Sequence, residues 1–368
     1  MPSHRVTLIP GDGSGPELVA AAVPVLDAAT ALVGSAIDWD RQLAGQSAMD
    51  RLGTPLPPRT IESVKTTAVA LKGPLTTPIG TGFRSVNLAL RRELDLYACL
   101  RPCRLMPGIT SRGLTNEIVI VRENTEDLYG GAELEGGTAD AVGVLTRLRD
   151  AGHAVDQDAG ITLKVISPRA SARIVRFACD YARRTGRRRV TCVTREDVLP
   201  RTDGLFAATF DAVAAPTPGI ETEHRLLDDV CREVIADPRR FEVLVMPNLY
   251  GDVLSDLVAG LIGGLGVAPS ANLGDRFAVF EATHGSAPEF AGTGTLNPTA
   301  LILAGAMLLR HLGETQAARA VEDAVAEVVR VGDVITADLL SNQDGRVATS
   351  TNDFAAEVVR TMRRAHDG

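Results

Sequence analysis

The sequence predicts an α/β fold with a substantial parallel sheet. Short apolar runs rich in β-branched residues, such as "RVTLIP" at residues 5–10, are typical of buried strands. Longer amphipathic or apolar runs lie between them and predict helices. Strands that alternate with helices in this way usually become parallel neighbours in one sheet. The 368 residues are enough for about two domains and a sizeable core.

The first half of the chain contains four predicted strands and two predicted helices. The strands are expected at residues 5–10, 67–75, 97–105 and 117–124, and the helices at 15–33 and 87–96. The first helix opens at Gly15 and Pro16, because proline is favoured at the first helical position. Residues 130–160 are rich in Gly and Asp and break the alternation, which predicts an inserted arm.

The second half continues the alternation with longer helices. Strands are expected at residues 188–196, 241–248 and 278–285, and helices at 171–184, 252–266, 297–313, 316–332 and 353–366. The basic cluster at 183–189 is interpreted as a solvated helix end before a buried strand.

Composition excludes several classes of function. The net charge of −8 and the aromatic content of 4% argue against a nucleic-acid or anionic-membrane surface. No run approaches 18 uninterrupted apolar residues, and the N-terminal residues resemble a strand rather than a signal peptide. The five cysteines form no CxxC pair, so reduced, mostly buried thiols in a cytoplasmic protein are expected.

The stretch "GDGSGPE" at residues 11–17 resembles a dinucleotide-binding fingerprint without matching it. The fingerprint requires G-x-G-x-x-G, whereas this segment is G-x-G-x-G-P, and the proline hinders close approach of helix and strand. A structural turn is the preferred interpretation.

Two aspartates, Asp252 and Asp256, lie four residues apart in an otherwise apolar segment, and therefore on one helix face. Asp252 suits the first turn of a helix, but like charges at this spacing repel each other. A bound Mg²⁺ or Mn²⁺ would resolve the repulsion, with Asp228 as a further candidate ligand. A solvent-facing edge of the helix is an equally good interpretation of the local sequence.

Arginines form a second candidate group. Arg101 and Arg122 each lie at the end of an apolar strand, where α/β sheets present ligand-binding groups, and Arg91 lies in a predicted helix. Guanidinium groups bind carboxylates through two hydrogen bonds, although three separate salt bridges would explain them equally well. The loop "THGSAPEFAGTGTLNP" at 283–298 is typical of a ligand-binding loop, and its lone His is compatible with a structural role.

Taken together, these segments resemble the isocitrate/isopropylmalate dehydrogenase family of β-decarboxylating dehydrogenases, and most closely NAD-dependent isocitrate dehydrogenases. The matching segments follow the family's order and are "LIPGDGSGPE", "LKGPLTTPIGTGFRSVNLALRRELDLYACLRP", "VRENTEDLYGG", "MPNLYGDVLSDLVAGLIGGLG" and "FEATHGSAPEFAGTGTLNPTALIL". The resemblance implies a two-domain, non-Rossmann fold. It implies a large domain of residues 1–97 plus 263–368, and a small domain of 98–262 whose arm, 128–166, helps to clasp a partner subunit.

The resemblance also implies a homodimer with shared active sites. Asp252 and Asp256 of one chain, with Asp228 of the other, would hold Mg²⁺ or Mn²⁺. Ser85, Asn87, Arg91, Arg101 and Arg122 match the substrate-binding positions, and Tyr129 matches the tyrosine that protonates the enol. Ser85 and Asn87 resemble the residues of isocitrate enzymes, since a hydroxyl and an amide favour a polar third arm on the substrate.

NAD is the cofactor that the resemblance implies. The positions matching the cofactor-binding residues of the family are Lys72, Thr76, His284, Gly285, Ser286, Ala287, Pro288, Glu289 and Asn297. Glu289 would bind the adenosine ribose hydroxyls and repel the 2′-phosphate of NADP. Ala337 and Ser341 stand where NADP enzymes of the family carry Tyr and Arg.

One position departs from the family pattern. Arg195 occupies the place of a lysine that is thought to help move the hydroxyl proton, and an arginine stays protonated near neutral pH. The expected function is NAD-dependent oxidative decarboxylation of a 2-hydroxy acid, foremost isocitrate. The alternatives are a specialised relative acting on an isocitrate analogue, such as a phosphonate, and a non-catalytic regulatory paralogue.

Overall fold

The structure is a computed structural model that describes residues 3–77, 85–109, 114, 116–340 and 346–367. Ser341, which bears on the choice of cofactor, lies outside these residues. The described strands are β1 (Ser3–Ile9), β2 (Ala36–Arg41), β3 (Val69–Lys72), β4 (Ala98–Cys103), β5 (Ile118–Glu123), β6 (Glu133–Leu134), β7 (Ile161–Thr162), β8 (Arg189–Thr194), β9 (Glu221–Leu226), β10 (Val243–Met246), β11 (Pro269–Leu273) and β12 (Ala278–Ala282).

Helices alternate with these strands along most of the chain. They are α1 (Gly15–Leu32), α2 (Gln46–Leu52), α3 (Pro58–Thr67), α4 (Val86–Glu93), α5 (Asp127–Gly130), α6 (Ala139–Asp150), α7 (Pro168–Arg184), α8 (Asp203–Ala214), α9 (Leu227–Ala236), α10 (Asn248–Leu261), α11 (Thr299–His311), α12 (Thr315–Val331) and α13 (Thr351–Asp367).

The described residues form one ten-stranded sheet in the order β2-β1-β3-β12-β11-β4-β5-β10-β8-β9. Most neighbours are parallel, whereas β12–β11, β11–β4 and β4–β5 are antiparallel. Helices cover both faces, which is why β3, β5, β10 and β12 are buried along their whole length. The predicted α/β fold with a substantial parallel sheet is confirmed.

The strands on the two sides of the β11–β4 pair come from different parts of the sequence. We call the five strands from β2 to β11 the terminal half and the five from β4 to β9 the central half. The terminal half comes from residues before 97 and after 263, and the central half from the residues between them. The division into a large and a small domain at these positions stays a prediction.

The turn at the start of α1 packs against other backbone segments. The Asp12 N–H donates to the Pro74 carbonyl over 2.8 Å, and the Ser14 N–H donates to the Ser286 carbonyl over 2.8 Å. A Cβ on Gly13 would lie 2.3 Å from the Ser286 carbonyl oxygen, so only glycine fits there. The glycines thus serve chain packing, in agreement with the structural-turn interpretation.

Two local expectations need correction. The helix around Asp252 begins at Asn248, directly after Pro247, so Asp252 lies in its second turn rather than its first. The segment 130–160 contains a full helix, α6, and the short strand β6, which pairs with β7 directly after the segment. Thr138 caps that helix by accepting a hydrogen bond from the Ala141 N–H, a start signal that the surrounding glycines obscured.

Among the residues that the structure describes, one helix, α1, is long and apolar enough to span a membrane by length and composition alone. Half of its length is buried within the fold, where it packs chiefly against α13, α11 and α12. This packing accounts for its apolar character.

Candidate active site

A cleft of about 310 Å³ opens where the terminal and central halves meet. It is lined by all five predicted substrate-binding residues, by Tyr129 and Asp252, and by three predicted cofactor-binding residues. They are Ser85, Asn87, Arg91, Arg101, Arg122, Tyr129, Asp252, Lys72, His284 and Gly285. The structure thus brings together residues that are separated by up to about 200 positions in sequence.

Strand pairing places two of the arginines side by side. Arg101 on β4 pairs with Ile120, and Arg122 on the antiparallel strand β5 pairs with Cys99. The two arginines are therefore offset by two residues and point to the same face of the sheet. Both are buried, and both reach the helix α10.

Asp252 is the acidic centre of the cleft. One of its carboxylate oxygens accepts hydrogen bonds from Arg122 and, over 3.4 Å, from Arg101. The other accepts one from the Tyr129 hydroxyl over 3.1 Å. Gly251 allows Arg122 to approach Asp252, because a Cβ at position 251 would collide with the Arg122 side chain.

These neighbours decide which groups are charged. Burial opposes ionisation of Asp252, but the charges of Arg122 and Arg101 outweigh it and lower the pKa of that carboxyl. Burial raises the pKa of Tyr129, and the adjacent Asp252 charge adds to the effect, so its hydroxyl stays protonated near neutral pH. Burial and the charge of Arg101 lower the pKa of Arg122 to about 10, which leaves it cationic.

The predicted metal ligands divide into two places. Asp252 and Asp256 lie one helical turn apart, and the side chain of Asp256 is 55% exposed and 3.6 Å from Arg101. Asp228 lies at the start of α9 and pairs instead with Arg195 over 2.9 Å. Within the described ranges, no three His, Cys, Asp or Glu side chains converge to hold a metal. The two carboxylates of α10 suit a hard cation whose remaining ligands come from elsewhere.

Arg195 is held between two carboxylates. Its guanidinium donates to Asp197 over 3.0 and 3.1 Å as well as to Asp228. Its backbone N–H donates to the buried Asp203 over 2.7 Å. Desolvation opposes ionisation of Arg195, but its hydrogen bonds to Asp197 and the charges of both aspartates raise its pKa, so it is a permanent cation. Neither Arg195 nor Asp228 lines the cleft described above.

The predicted cofactor-binding residues extend from the cleft along the terminal half. Lys72 is buried and forms an ion pair with Glu281 over 2.6 Å, across the parallel strands β3 and β12. Burial opposes ionisation of Glu281, but the Lys72 and Arg91 charges lower its pKa to about 2. Thr76 shares a 2.7 Å hydrogen bond with Ser286, which fixes the start of the predicted cofactor loop.

The outer part of that loop is open to solvent. Ala287 adopts a left-handed conformation with φ of 37°, which turns the chain into a short 3-10 helix over Pro288–Phe290. Glu289 is exposed in this helix. Asn297 donates to Asp338 over 2.9 Å, which ties the loop to the segment that contains Ala337.

A buried polar cluster beside the cleft was not foreseen from the sequence. Lys164 contacts Asp203 and Asp127, both fully buried, and donates to the Tyr250 hydroxyl over 3.0 Å. Asp127 has a φ of 68°, unusual for a residue other than glycine, and lies two residues before Tyr129. Lys164 lies between two apolar residues of a short segment, which is a weak sequence signal for a partly buried cation.

Comparisons with known proteins agree with this arrangement. Residues 5–358 match the family model described as "Isocitrate/isopropylmalate dehydrogenase". The chain is 42% identical over 336 residues to isocitrate dehydrogenase [NAD] catalytic subunit 6, mitochondrial, of Arabidopsis thaliana, covering 91% of this chain and 84% of the relative. It is 39% identical over 362 residues to isocitrate dehydrogenase [NADP] of Thermus thermophilus, covering 97% and 67%.

A solved structure of an isocitrate dehydrogenase has a similar fold. The crystal structure of isocitrate dehydrogenase from Methylococcus capsulatus superposes with a TM-score of 0.88 at 44% identity, covering 98% of this chain and 99% of that chain. The likeness in fold and in sequence extends over nearly the whole chain. The chain therefore belongs to the isocitrate/isopropylmalate dehydrogenase family of β-decarboxylating dehydrogenases, as its motifs predicted.

Proposed function

We propose that this enzyme oxidises isocitrate to 2-oxoglutarate and CO₂ with NAD and a divalent metal. The observation that carries the proposal is the convergence of three arginines, Tyr129 and Asp252 in one cleft. The similarity to NAD isocitrate dehydrogenase subunits supports it. Because a close relative is named as NADP-dependent, the choice of NAD depends on the exposed carboxylate of Glu289.

The cleft is built to hold a polyanion. Arg91, Arg101 and Arg122 present three guanidinium groups, of which two are buried and therefore held in fixed orientations. A substrate carboxylate would compete with Asp252 for Arg122 and Arg101. The Ser85 hydroxyl would accept a hydrogen bond from a third polar arm or donate one to it. The side-chain oxygen of Asn87, which has no partner among the described residues, would accept one.

The two carboxylates of α10 suit a divalent cation. Asp252 and Asp256 would hold Mg²⁺ or Mn²⁺, which supplies Lewis-acid polarisation of the substrate oxygen, while NAD accepts the hydride. Arg122 and Arg101 would keep Asp252 ionised and ready to bind the cation. Tyr129 holds its proton on Oη beside Asp252 and would deliver it to carbon after CO₂ departs.

Two features point to a homodimer with shared sites. Arg195 and Asp228 match family positions in the site, yet in this chain they contact each other away from Asp252. A second copy would supply them, with the arm of residues 128–166 contributing to the clasp. We further infer a cytoplasmic enzyme with a small-molecule substrate and with neither a nucleic-acid nor a membrane partner, in keeping with its net charge of −8.

A second candidate function is favoured by Arg195. A fixed cation in place of a lysine suits a substrate with more negative charge than isocitrate, such as an analogue with a phosphonate in place of one carboxylate. A non-catalytic regulatory paralogue would instead bind NAD or metal without turnover.

The deciding experiment measures NADH and NADPH formation over a panel of 2-hydroxy acids with Mg²⁺ or Mn²⁺. The panel contains isocitrate, 3-isopropylmalate, tartrate, malate and a phosphonomethyl malate. Preferred turnover of isocitrate with NAD supports the first proposal, and preferred turnover of the phosphonate supports the second. Turnover of neither, combined with calorimetric binding of NAD, supports the regulatory paralogue.

A further inference from the structure

A second cavity, of about 630 Å³, lies on the opposite face of the sheet from the candidate active site. Leu100 and Pro102 of β4 line this rear cavity, whereas Arg101 between them lines the active-site cleft. On β12, Phe280 lines the rear cavity and Glu281 the cleft. Successive residues of a strand point to opposite faces, so the same strands separate the two spaces.

The rear cavity is enclosed by elements from both halves of the molecule. Phe177 and Tyr181 of α7 form the wall contributed by the central half. Leu303 and Met307 of α11 form the wall contributed by the terminal half. Its size and apolar walls fall in the range of small-molecule binding sites.

Four guanidinium groups stand around the mouth of the rear cavity, those of Arg104, Arg184, Arg187 and Arg310. Arg187 pairs with Glu117 and lies over the Tyr181 ring at 5.6 Å, and Arg310 pairs with Glu322 over 2.7 Å. Arg184 donates only to the Asp180 backbone carbonyl, over 3.3 Å, and no carboxylate neutralises it in the described part of the chain. The mouth therefore carries a net positive charge beside apolar walls.

We propose that the rear cavity binds a small amphiphilic anion. Its apolar body would lie between Phe177, Phe280 and Met307, and its carboxylate, sulfonate or phosphate would meet Arg184 and the Tyr181 hydroxyl at the mouth. Charge complementarity selects an anion, and the apolar walls select a ligand with an aromatic or aliphatic body over inorganic phosphate.

Ligand binding in the rear cavity is coupled to substrate binding in the active-site cleft. The rear cavity is lined by β4 and β11, and the active-site cleft by β4 and β12 on the opposite face, so a rotation of the two halves that widens one space would narrow the other. A ligand that holds the rear cavity open favours a narrower active-site cleft and so tightens substrate binding. By thermodynamic linkage, bound substrate tightens binding of the rear ligand by the same factor. This coupling, but not the rear site itself, rests on the proposed function.

Anilinonaphthalene sulfonate is a suitable probe, because it is an amphiphilic anion whose fluorescence rises in apolar surroundings. The full-length protein is titrated with it by fluorescence and by calorimetry. The Arg184→Glu variant reverses the charge of Arg184, and the Met307→Trp variant fills the apolar body of the cavity. Arg183→Glu is the matched control, because Arg183 lies on the same helix but does not line the rear cavity.

Both cavity variants are expected to bind the probe about tenfold more weakly than wild type, and the control unchanged. Isocitrate with Mg²⁺ is expected to tighten probe binding, and the probe to lower the KM for isocitrate. Equal probe affinity in wild type and both variants, or displacement of the probe by isocitrate, would overturn the proposal. Probe binding that depends on Arg184 supports the rear site even if no 2-hydroxy acid is oxidised. The rear site and the proposed function can therefore fail independently of each other.

Discussion

Asp252 contacts more of the candidate catalytic groups than any other described acidic residue of the cleft, because it accepts hydrogen bonds from Arg101, Arg122 and Tyr129. Asp252→Asn should reduce metal-dependent turnover by roughly two orders of magnitude or more, since it removes a ligand charge. Asn keeps an oxygen for both arginines, so the fold should persist. The check is kcat with Mg²⁺ or Mn²⁺ alongside circular dichroism. Asp180→Asn on an exposed helix face is the control, and equal wild-type activity in excess chelator would contradict the metal requirement.

Glu289 carries the choice of cofactor. Its exposed carboxylate, on a loop fixed by the Thr76–Ser286 hydrogen bond, suits a ribose diol and repels a phosphate. Wild type should prefer NAD. Glu289→Lys should lower the ratio of kcat/KM with NAD to kcat/KM with NADP by roughly tenfold or more. Glu62→Lys on the distant helix α3 should leave that ratio unchanged. A wild-type enzyme with the higher kcat/KM for NADP would show that the loop has another role.

Arg195 is the departure from the family pattern whose consequence is easiest to measure. If the guanidinium, clamped by Asp197 and Asp228, serves a more highly charged substrate, Arg195→Lys should lower turnover of that substrate and raise turnover of isocitrate. Steady-state kcat and KM over the substrate panel provide the measurement. Strong wild-type isocitrate turnover that is unchanged in Arg195→Ala would contradict both the specialised and the inactive alternatives.

At the scale of elements, the Lys164 cluster joins parts of the chain that carry the chemistry. Asp127 begins α5, which carries Tyr129, and Asp203 begins α8 and accepts a hydrogen bond from the Arg195 backbone. Tyr250 lies in the first turn of α10, two residues before Asp252. One partly buried ammonium thus links three elements, and its removal leaves two fully buried carboxylates without their cation.

The consequence for stability is large and measurable. Lys164→Met should lower the free energy of unfolding by about 3–5 kcal/mol, because the uncompensated charges stay buried. Lys65→Met, at an exposed position in α3, should cost little and is the matched control. Urea unfolding followed by circular dichroism gives the comparison, and equal midpoints for the two variants would show that the cluster does not stabilise the fold.

Three strands of the ten-stranded sheet were not predicted from the sequence, and all three carry polar residues. β2 and β9 are the two edge strands, where partial exposure permits polar residues and hides the apolar signal. β11 begins with Pro269 and contains Ser270 and Asn272, whose side chains face buried polar partners. Conversely, β5 and β10 were readily predicted because both of their faces are covered.

At the scale of the whole molecule, the separation of Asp228 from Asp252 makes dimer formation testable through activity. Mixed dimers of Asp228→Asn and Asp252→Asn chains would contain one intact site and one doubly altered site. Random exchange of subunits should therefore restore about a quarter of wild-type activity from two nearly inactive parents. The measurement is isocitrate-dependent NADH formation after mild unfolding and refolding of the mixture. Activity that stays at the parental level would argue against shared sites.

The sequence by itself determined the alternation of buried strands and amphipathic helices, because apolar periodicity and helix-start residues act locally. Family motifs in their order also identified the residues that meet in the front cleft. Only the tertiary structure decided that Arg101 and Arg122 share a face, that Lys164 neutralises two buried aspartates, and that an apolar cavity lies behind the cleft. These features depend on strand register and on contacts between distant segments, which sequence periodicity does not encode.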